Sequence, residues 1–163
     1  MGIIIGIIEH RVFKGYILKL KIKNIICGFT LLIPFRNIFL SPSKLIKRLK
    51  LKDNHTVLEI GPGPGYFSPK VAKFLTQGKL VLTDIQQEML DLARKRLDKR
   101  GIKNVKYKLC DGMSLEFDSK SFDRIFMVTV LGEVENKDIY LSEIHRILKD
   151  DGILSISELA GSR

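Results

Sequence analysis

Glu59, Gly61, Gly63 and Gly65, followed by Asp84, are the residues of this 163-residue chain whose types and spacing could do chemistry. Glycines at alternate positions remove Cβ atoms where a backbone must turn tightly and approach a ligand. A carboxylate about 20 residues further on, at the end of the next strand, can accept hydrogen bonds from both hydroxyls of a ribose. The ligand so described contains a nucleoside. A dinucleotide fingerprint begun at Gly61 would need glycine at position 66, where Tyr66 stands. Pro62 and Pro64 strip N–H donors from a loop that would need them to cradle phosphate, and no Gly-Lys-Ser/Thr follows as in a P-loop. Glu59 instead offers a carboxylate suited to a cationic ligand. The other reading, a glycine turn that only packs tightly, loses ground because the acid arrives at the expected distance.

These residues need strands to hold them. Val57, Leu58 and Ile60 form the short apolar run of a buried parallel strand, and Leu80 to Asp84 form a second. Val105 to Leu109 alternates in strand fashion and runs into Cys110-Asp111-Gly112. Phe122 to Val128 is the next strand, followed by Thr129 to Val134. A helix from Leu141, with Gly152 as its stop, leads into a strand from Ile153 to Glu158. Ser41-Pro42-Ser43 marks the start of a helix through about Leu49. The order β-α-β-α-β, then β-α-β, predicts an α/β fold with a right-handed, doubly wound, mainly parallel sheet. Ligands in such sheets sit outside the carboxyl ends of the strands, near the switch point. The glycine loop, Asp84, Asp111 and Thr129 all lie at such ends.

The pattern Glu59-x-Gly61-x-Gly63-x-Gly65 resembles motif I of the class I S-adenosylmethionine-dependent methyltransferases, and the resemblance extends over about residues 45 to 160. It implies a Rossmann-like methyltransferase fold and a cofactor, S-adenosylmethionine, that carries an amino group, a sulfonium and a ribose but no phosphate. It also implies cofactor-binding roles for Glu59, Gly61, Gly63, Gly65, Asp84, Ile85, Asp111, Gly112 and Thr129, with Asp111 accepting from the adenine amino group. Pro34-Phe-Arg-Asn and Ser41-Pro-Ser-Lys-Leu-Ile resemble the N-terminal region of the ubiquinone and menaquinone methyltransferases, which implies a small-molecule or lipid-like acceptor. Methyl transfer from a sulfonium is an in-line displacement, so positioning supplies much of the catalysis. Glu133 is the candidate base for an acceptor that must lose a proton, against its reading as an exposed acid at a helix start. Some quinone-type relatives place a His beside this acid; here the residue is Gly132. Tyr16 and Tyr66 are candidates to face the pocket. The alternatives to a methyltransferase of small molecules are a non-catalytic S-adenosylmethionine-binding or scaffold protein and an RNA methyltransferase.

Charge divides the chain. Residues 1 to 52 hold eleven lysines and arginines against Glu9 alone and so carry the whole formal charge of +10, leaving the rest neutral. Residues 1–44 therefore read as a basic, apolar segment, a lid or a surface-binding element, and residues 45–163 as the cofactor-binding domain. Its apolar clusters, Ile3 to Ile8 and Ile25 to Phe35, are too short and too interrupted to cross a bilayer, and no signal peptide precedes them. Lysines among Ile, Leu and Phe suit an anionic membrane surface, with nucleic acid the weaker competitor. Cys27, Cys110 and the three histidines show no metal-ligand spacing, and two cysteines fit a reducing, cytoplasmic setting. The chain ends at Arg163, just after the fifth strand of the resemblance, which predicts a sheet truncated there. Its last strand would be a bare edge unless a partner chain or a segment such as Leu18 to Lys23 pairs with it.

Overall fold

The computed structural model describes residues 3–9 and 41–159. Six strands are found among them: β1 (Ile3–Glu9), β2 (Thr56–Ile60), β3 (Lys79–Asp84), β4 (Val105–Leu109), β5 (Phe122–Val128) and β6 (Leu148–Leu159). They form one sheet in the order β1-β6-β5-β2-β3-β4. Strands β2 to β6 run parallel, and β1 runs antiparallel to β6. From β2 the chain winds outward through β3 to β4, then returns to the other side of β2 for β5 and β6. The switch point falls between β2 and β5.

Alternate residues of the central strands enter two separate cores. Val57, Leu80, Leu82 and Phe126 pack under α1 (Pro42–Arg48), α2 (Ser68–Phe74) and α3 (Gln87–Asp98) through Leu45, Leu49, Val71, Leu90, Ala93 and Leu97. Their chain neighbours Leu58, Val81, Ile125 and Met127 face the opposite side and meet Tyr140, Ile144 and Ile147 of α4 (Lys137–Ile147). A period of two with both faces covered is why these strands read as unbroken apolar runs.

The bare edge anticipated at the fifth strand of the resemblance, β6, does not arise. Ile3 to Glu9 pairs with it over seven residues, from Ile3 opposite Leu159 to Glu9 opposite Ile153. The β-branched run Ile3-Ile-Ile-Gly-Ile-Ile suits a strand, and the ladder supplies the hydrogen-bond partners that β6 would otherwise lack. Leu18 to Lys23, Ile25 to Phe35 and Tyr16 lie outside the described residues.

The glycine stop expected at Gly152 is also placed differently. Helix α4 ends at Ile147, where Leu148 turns extended, and Gly152 falls inside β6. The β5–β6 register slips there, from Phe122 opposite Leu148 to Arg124 opposite Ile153. A Cβ on Gly152 would stand 2.5 Å from Leu148 Cγ and 2.8 Å from the Lys149 carbonyl, so this bulge admits only glycine.

Candidate functional site

A cavity of about 430 Å³ opens where β2, β3, β4 and β5 end. Four loops build it, each beginning at the carboxyl end of a parallel strand, where successive crossovers diverge and leave a crevice. The first loop follows β2. Glu59 is 2% exposed, and its carboxylate accepts a 2.7 Å hydrogen bond from the buried Ser68 hydroxyl at the start of α2. Gly61, Gly63 and Gly65 then take φ of +64°, +52° and +74°, conformations that L side chains rarely adopt. Their surroundings differ. A Cβ on Gly61 would overlap Val130 Cγ2, one on Gly65 would stand 3.1 Å from Ala93 Cβ of α3, and one on Gly63 would meet nothing within 4 Å.

Gly61 and Gly63 line the cavity; Gly65 does not. It lies against α3, and its carbonyl accepts from the Arg96 guanidinium at 3.2 Å. The third glycine of the motif thus seats a helix on the loop.

The second loop carries Asp84 and Ile85. Asp84 is 9% exposed, and its Oδ1 accepts from the Gln86 N–H at 3.1 Å, which turns the carboxyl group across the strand end. The third carries Cys110, Asp111 and Gly112. Asp111 is exposed, and its Oδ1 accepts from the N–H groups of Met113 and Ser114, both at 2.8 Å. Those two bonds hold its carboxyl below the usual carboxylate range.

The fourth loop follows β5. Thr129 has φ of +58°, uncommon for a β-branched residue, and is held there by its N–H on the Ser157 carbonyl at 2.7 Å and its hydroxyl on the Val128 carbonyl at 2.6 Å. A single 3-10 turn, Leu131–Glu133, brings Glu133 to the cavity rim. Glu133 is exposed at that rim, as its reading as an exposed acid has it, and the cavity wall on one side together with the Asp84 carboxylate pushes its carboxyl up.

Two residues at this end of the sheet escaped the sequence reading. Tyr140 of α4, 3% exposed, lines the cavity, and burial beside Cys110, Asp84 and Asp111 keeps its phenol protonated far above the ordinary range. No local pattern announces it, since its position depends on how α4 packs. Glu158 in β6 accepts from the Val130 and Leu131 N–H groups at 3.1 and 2.8 Å. It carries the signal that drew attention to Asp84, an acid near the end of a parallel strand. Tyr66 packs edge-on against Phe67, ring centroids 4.9 Å apart, and belongs to the core beside α2 and α3.

Charge limits what the cavity can hold. Glu59, Asp84, Asp111, Glu133 and Glu135 line it, and its described lining contains no lysine or arginine. A phosphate would meet repulsion here, whereas a cationic ligand with hydroxyl and amino donors finds acceptors on several sides. Where Gly63 lacks a Cβ, the open space admits that ligand. The residues present therefore fit S-adenosylmethionine. Among the described residues no grouping of His, Cys, Asp or Glu could hold a metal ion, and no helix is long and apolar enough to cross a membrane.

A family model described as a methyltransferase domain matches residues 51–161. The ubiquinone/menaquinone biosynthesis C-methyltransferase UbiE of Cellvibrio japonicus is 35% identical over 112 residues, covering 68% of this chain and 45% of that protein. The demethylmenaquinone methyltransferase of Lactobacillus johnsonii is 34% identical over 117 residues, covering 71% and 48%. This chain thus spans about half the length of the curated relatives it matches. Among solved structures, a SAM-dependent methyltransferase from Aquifex aeolicus superposes with a TM-score of 0.70 at 31% identity, covering 76% of this chain and 66% of that one. The YcgJ protein of Bacillus subtilis gives a TM-score of 0.66 at 26% identity, covering 71% and 49%.

Proposed function

This chain belongs to the class I S-adenosylmethionine-dependent methyltransferases, and from that membership we propose that it binds S-adenosylmethionine in the switch-point cavity and methylates a small-molecule acceptor of the quinone-precursor type. The observation that carries the reading is the chemistry of the cavity, with carboxylates from four strand ends and a glycine floor but no cationic wall in its described lining. Asp84 accepts from the ribose hydroxyls. Asp111 has committed Oδ1 to its own turn and offers Oδ2 to the adenine amino group. Glu59, steadied by Ser68, sets the negative potential that favours a cation, and Gly61 and Gly63 let the backbone come close. When bound, the cofactor supplies a methyl group activated on a sulfonium. Thr129 belongs to the cofactor contacts, and Glu133 at the rim takes a proton from an acceptor that must lose one, its raised carboxyl bringing it nearer to a base poised for neutral pH.

The names of the curated relatives, which concern ubiquinone or menaquinone, support an apolar ring acceptor. Such an acceptor dissolves in lipid. The basic N-terminal region then serves as a peripheral contact with an anionic membrane in the cytoplasm, a role supported by its eleven cationic residues and by the exposed Lys44 and Lys47 on the outer face of α1. Calorimetry with S-adenosylmethionine and S-adenosylhomocysteine tests the first half, and transfer of a radiolabelled methyl group to detergent-dispersed quinone precursors tests the second. Binding of both ligands with label in a quinone precursor is expected. Binding without transfer to any acceptor favours a scaffold, label in RNA favours the nucleic-acid reading, and no binding overturns the proposal.

A further inference from the structure

We propose that Glu158 is a positioning residue of this site, holding the loop after β5 in the arrangement that seats Val130 against Gly61 and turns Glu133 into the cavity; the inference rests on the methyltransferase reading above. Glu158 reaches the loop from β6, 28 residues further along the chain than Val130. Its Oε1 accepts from two successive N–H groups, Val130 at 3.1 Å and Leu131 at 2.8 Å, so one oxygen satisfies the leading donors of the 3-10 turn Leu131–Glu133. Without it those donors would face a half-buried region unpaired. What they fix is specific. Val130 fills the space beside Gly61 that a side chain would need, so the cofactor loop and the loop after β5 are in register only while Val130 stays put. Thr129, one residue earlier, is in the left-handed region and is tied to Ser157, the chain neighbour of Glu158. Ser157 and Glu158 thus grip three consecutive residues, and Glu133 follows at the end of the same turn. Burial pushes the Glu158 carboxyl up, the turn's N–H groups pull it back, and the net direction is upward.

Acceptor geometry, not charge, is the operative property in this account, and Glu158→Gln and Glu158→Ala separate the two. The glutamine carbonyl can occupy the place of Oε1; alanine offers no acceptor. In the full chain, amide hydrogen exchange at Val130 and Leu131 is expected to quicken at least about tenfold in Glu158→Ala and to stay close to wild type in Glu158→Gln, because only alanine frees those donors. At saturating cofactor, the single-turnover rate of methyl transfer is expected to fall about tenfold or more in the alanine variant and to be largely restored in the glutamine variant, as misplacing a catalytic wall by a fraction of an ångström costs that much. Calorimetric affinity for S-adenosylhomocysteine should weaken in the same order. Unchanged exchange at both amides in Glu158→Ala overturns the contact. Normal exchange and rate in Glu158→Ala, or damage in Glu158→Gln equal to that in alanine, overturns the positioning role. If the wild-type protein binds no S-adenosylhomocysteine, the methyltransferase reading fails, and with it the site that Glu158 would position; the exchange measurement still decides separately whether the carboxylate holds the turn.

Discussion

Asp84 keeps 9% of its surface exposed, with one oxygen turned onto the Gln86 N–H, and its other oxygen is what the proposed ribose would use. Asp84→Ala should weaken S-adenosylmethionine binding by about 1.5–3 kcal/mol, roughly ten- to a hundredfold in Kd, while the melting transition stays cooperative. Calorimetry on the variant checks this, and unchanged affinity would remove the ribose assignment. Two glycines separate ligand space from packing space. Gly63→Val should abolish binding, because its backbone angle is left-handed and its side chain would project into the open cavity. Gly65→Ala meets Ala93 instead, so it should cost about 1–3 kcal/mol of stability and leave the cofactor Kd within a few-fold. If the two variants behaved alike in binding, the division of labour within the loop would be wrong. Glu158 adds a pH dependence. Its folded carboxyl is raised above the ordinary glutamate value of 4.5, so the folded state binds the extra proton, and its contribution to stability is lost as pH rises through the window above 4.5. Melting temperatures of wild type measured against Glu158→Gln should therefore decline with rising pH across that window, and a rise would contradict the direction of the shift.

Helix α1 shows how a short element is held at the edge of a core. Seven residues cannot make a stable helix alone, and Leu45 and Leu49 bury themselves beside the sheet while Lys44 and Lys47 stay outside. Its C-terminal carbonyl at Leu49 is satisfied by Arg124, 7% exposed in β5, whose Nε donates at 2.7 Å. Burial lowers the Arg124 pKa against the pull of Asp123 and Asp151. Arg124→Ala should cost about 1–3 kcal/mol, the usual cost of a buried carbonyl left unpaired, read as a lower denaturant midpoint. An unchanged midpoint would mean that the tether is incidental. Because the guanidinium lies at the opposite end of β5 from Thr129, cofactor affinity in the folded variant should be retained.

At the scale of the whole molecule, the sequence concentrates its positive charge in one stretch, while the cavity is lined by acids. Residues 1 to 52 carry the whole net charge, yet β1 and α1, which lie within them, are structural parts of the sheet and core. Removing that stretch entire would unmake the fold, so the proposed membrane contact is better tested by charge. Lys19→Glu, Lys21→Glu and Lys23→Glu together should abolish sedimentation with phosphatidylglycerol vesicles at low salt, whereas cofactor affinity should be little changed. Wild-type sedimentation should fall as ionic strength rises toward 0.15 M, where the Debye length is about 8 Å. Protein that ignores such vesicles and shifts RNA with a steep salt slope would favour the nucleic-acid alternative.

Local chemistry made much of this legible before any tertiary structure. Apolar runs marked β2, β3 and β5 and alternation marked β4, the positive-φ turn at Gly61 to Gly65 followed from three residues without Cβ, and the placing of Asp84 and Asp111 at strand ends followed from those strands. Such features depend on neighbours within a few positions along the chain. What the sequence left open depends on contacts between distant residues. That Ile3 to Glu9 should lie along β6 is a matter of backbone pairing across some 150 positions, which no local periodicity specifies. Gly65 and Gly63 look alike in sequence, and only the approach of α3 makes one a packing residue and leaves the other facing open space. Tyr140 and Glu158 joined the site because α4 and β6 pack where they do, and side chains of such elements become neighbours only once the sheet has twisted and the helices have settled on it.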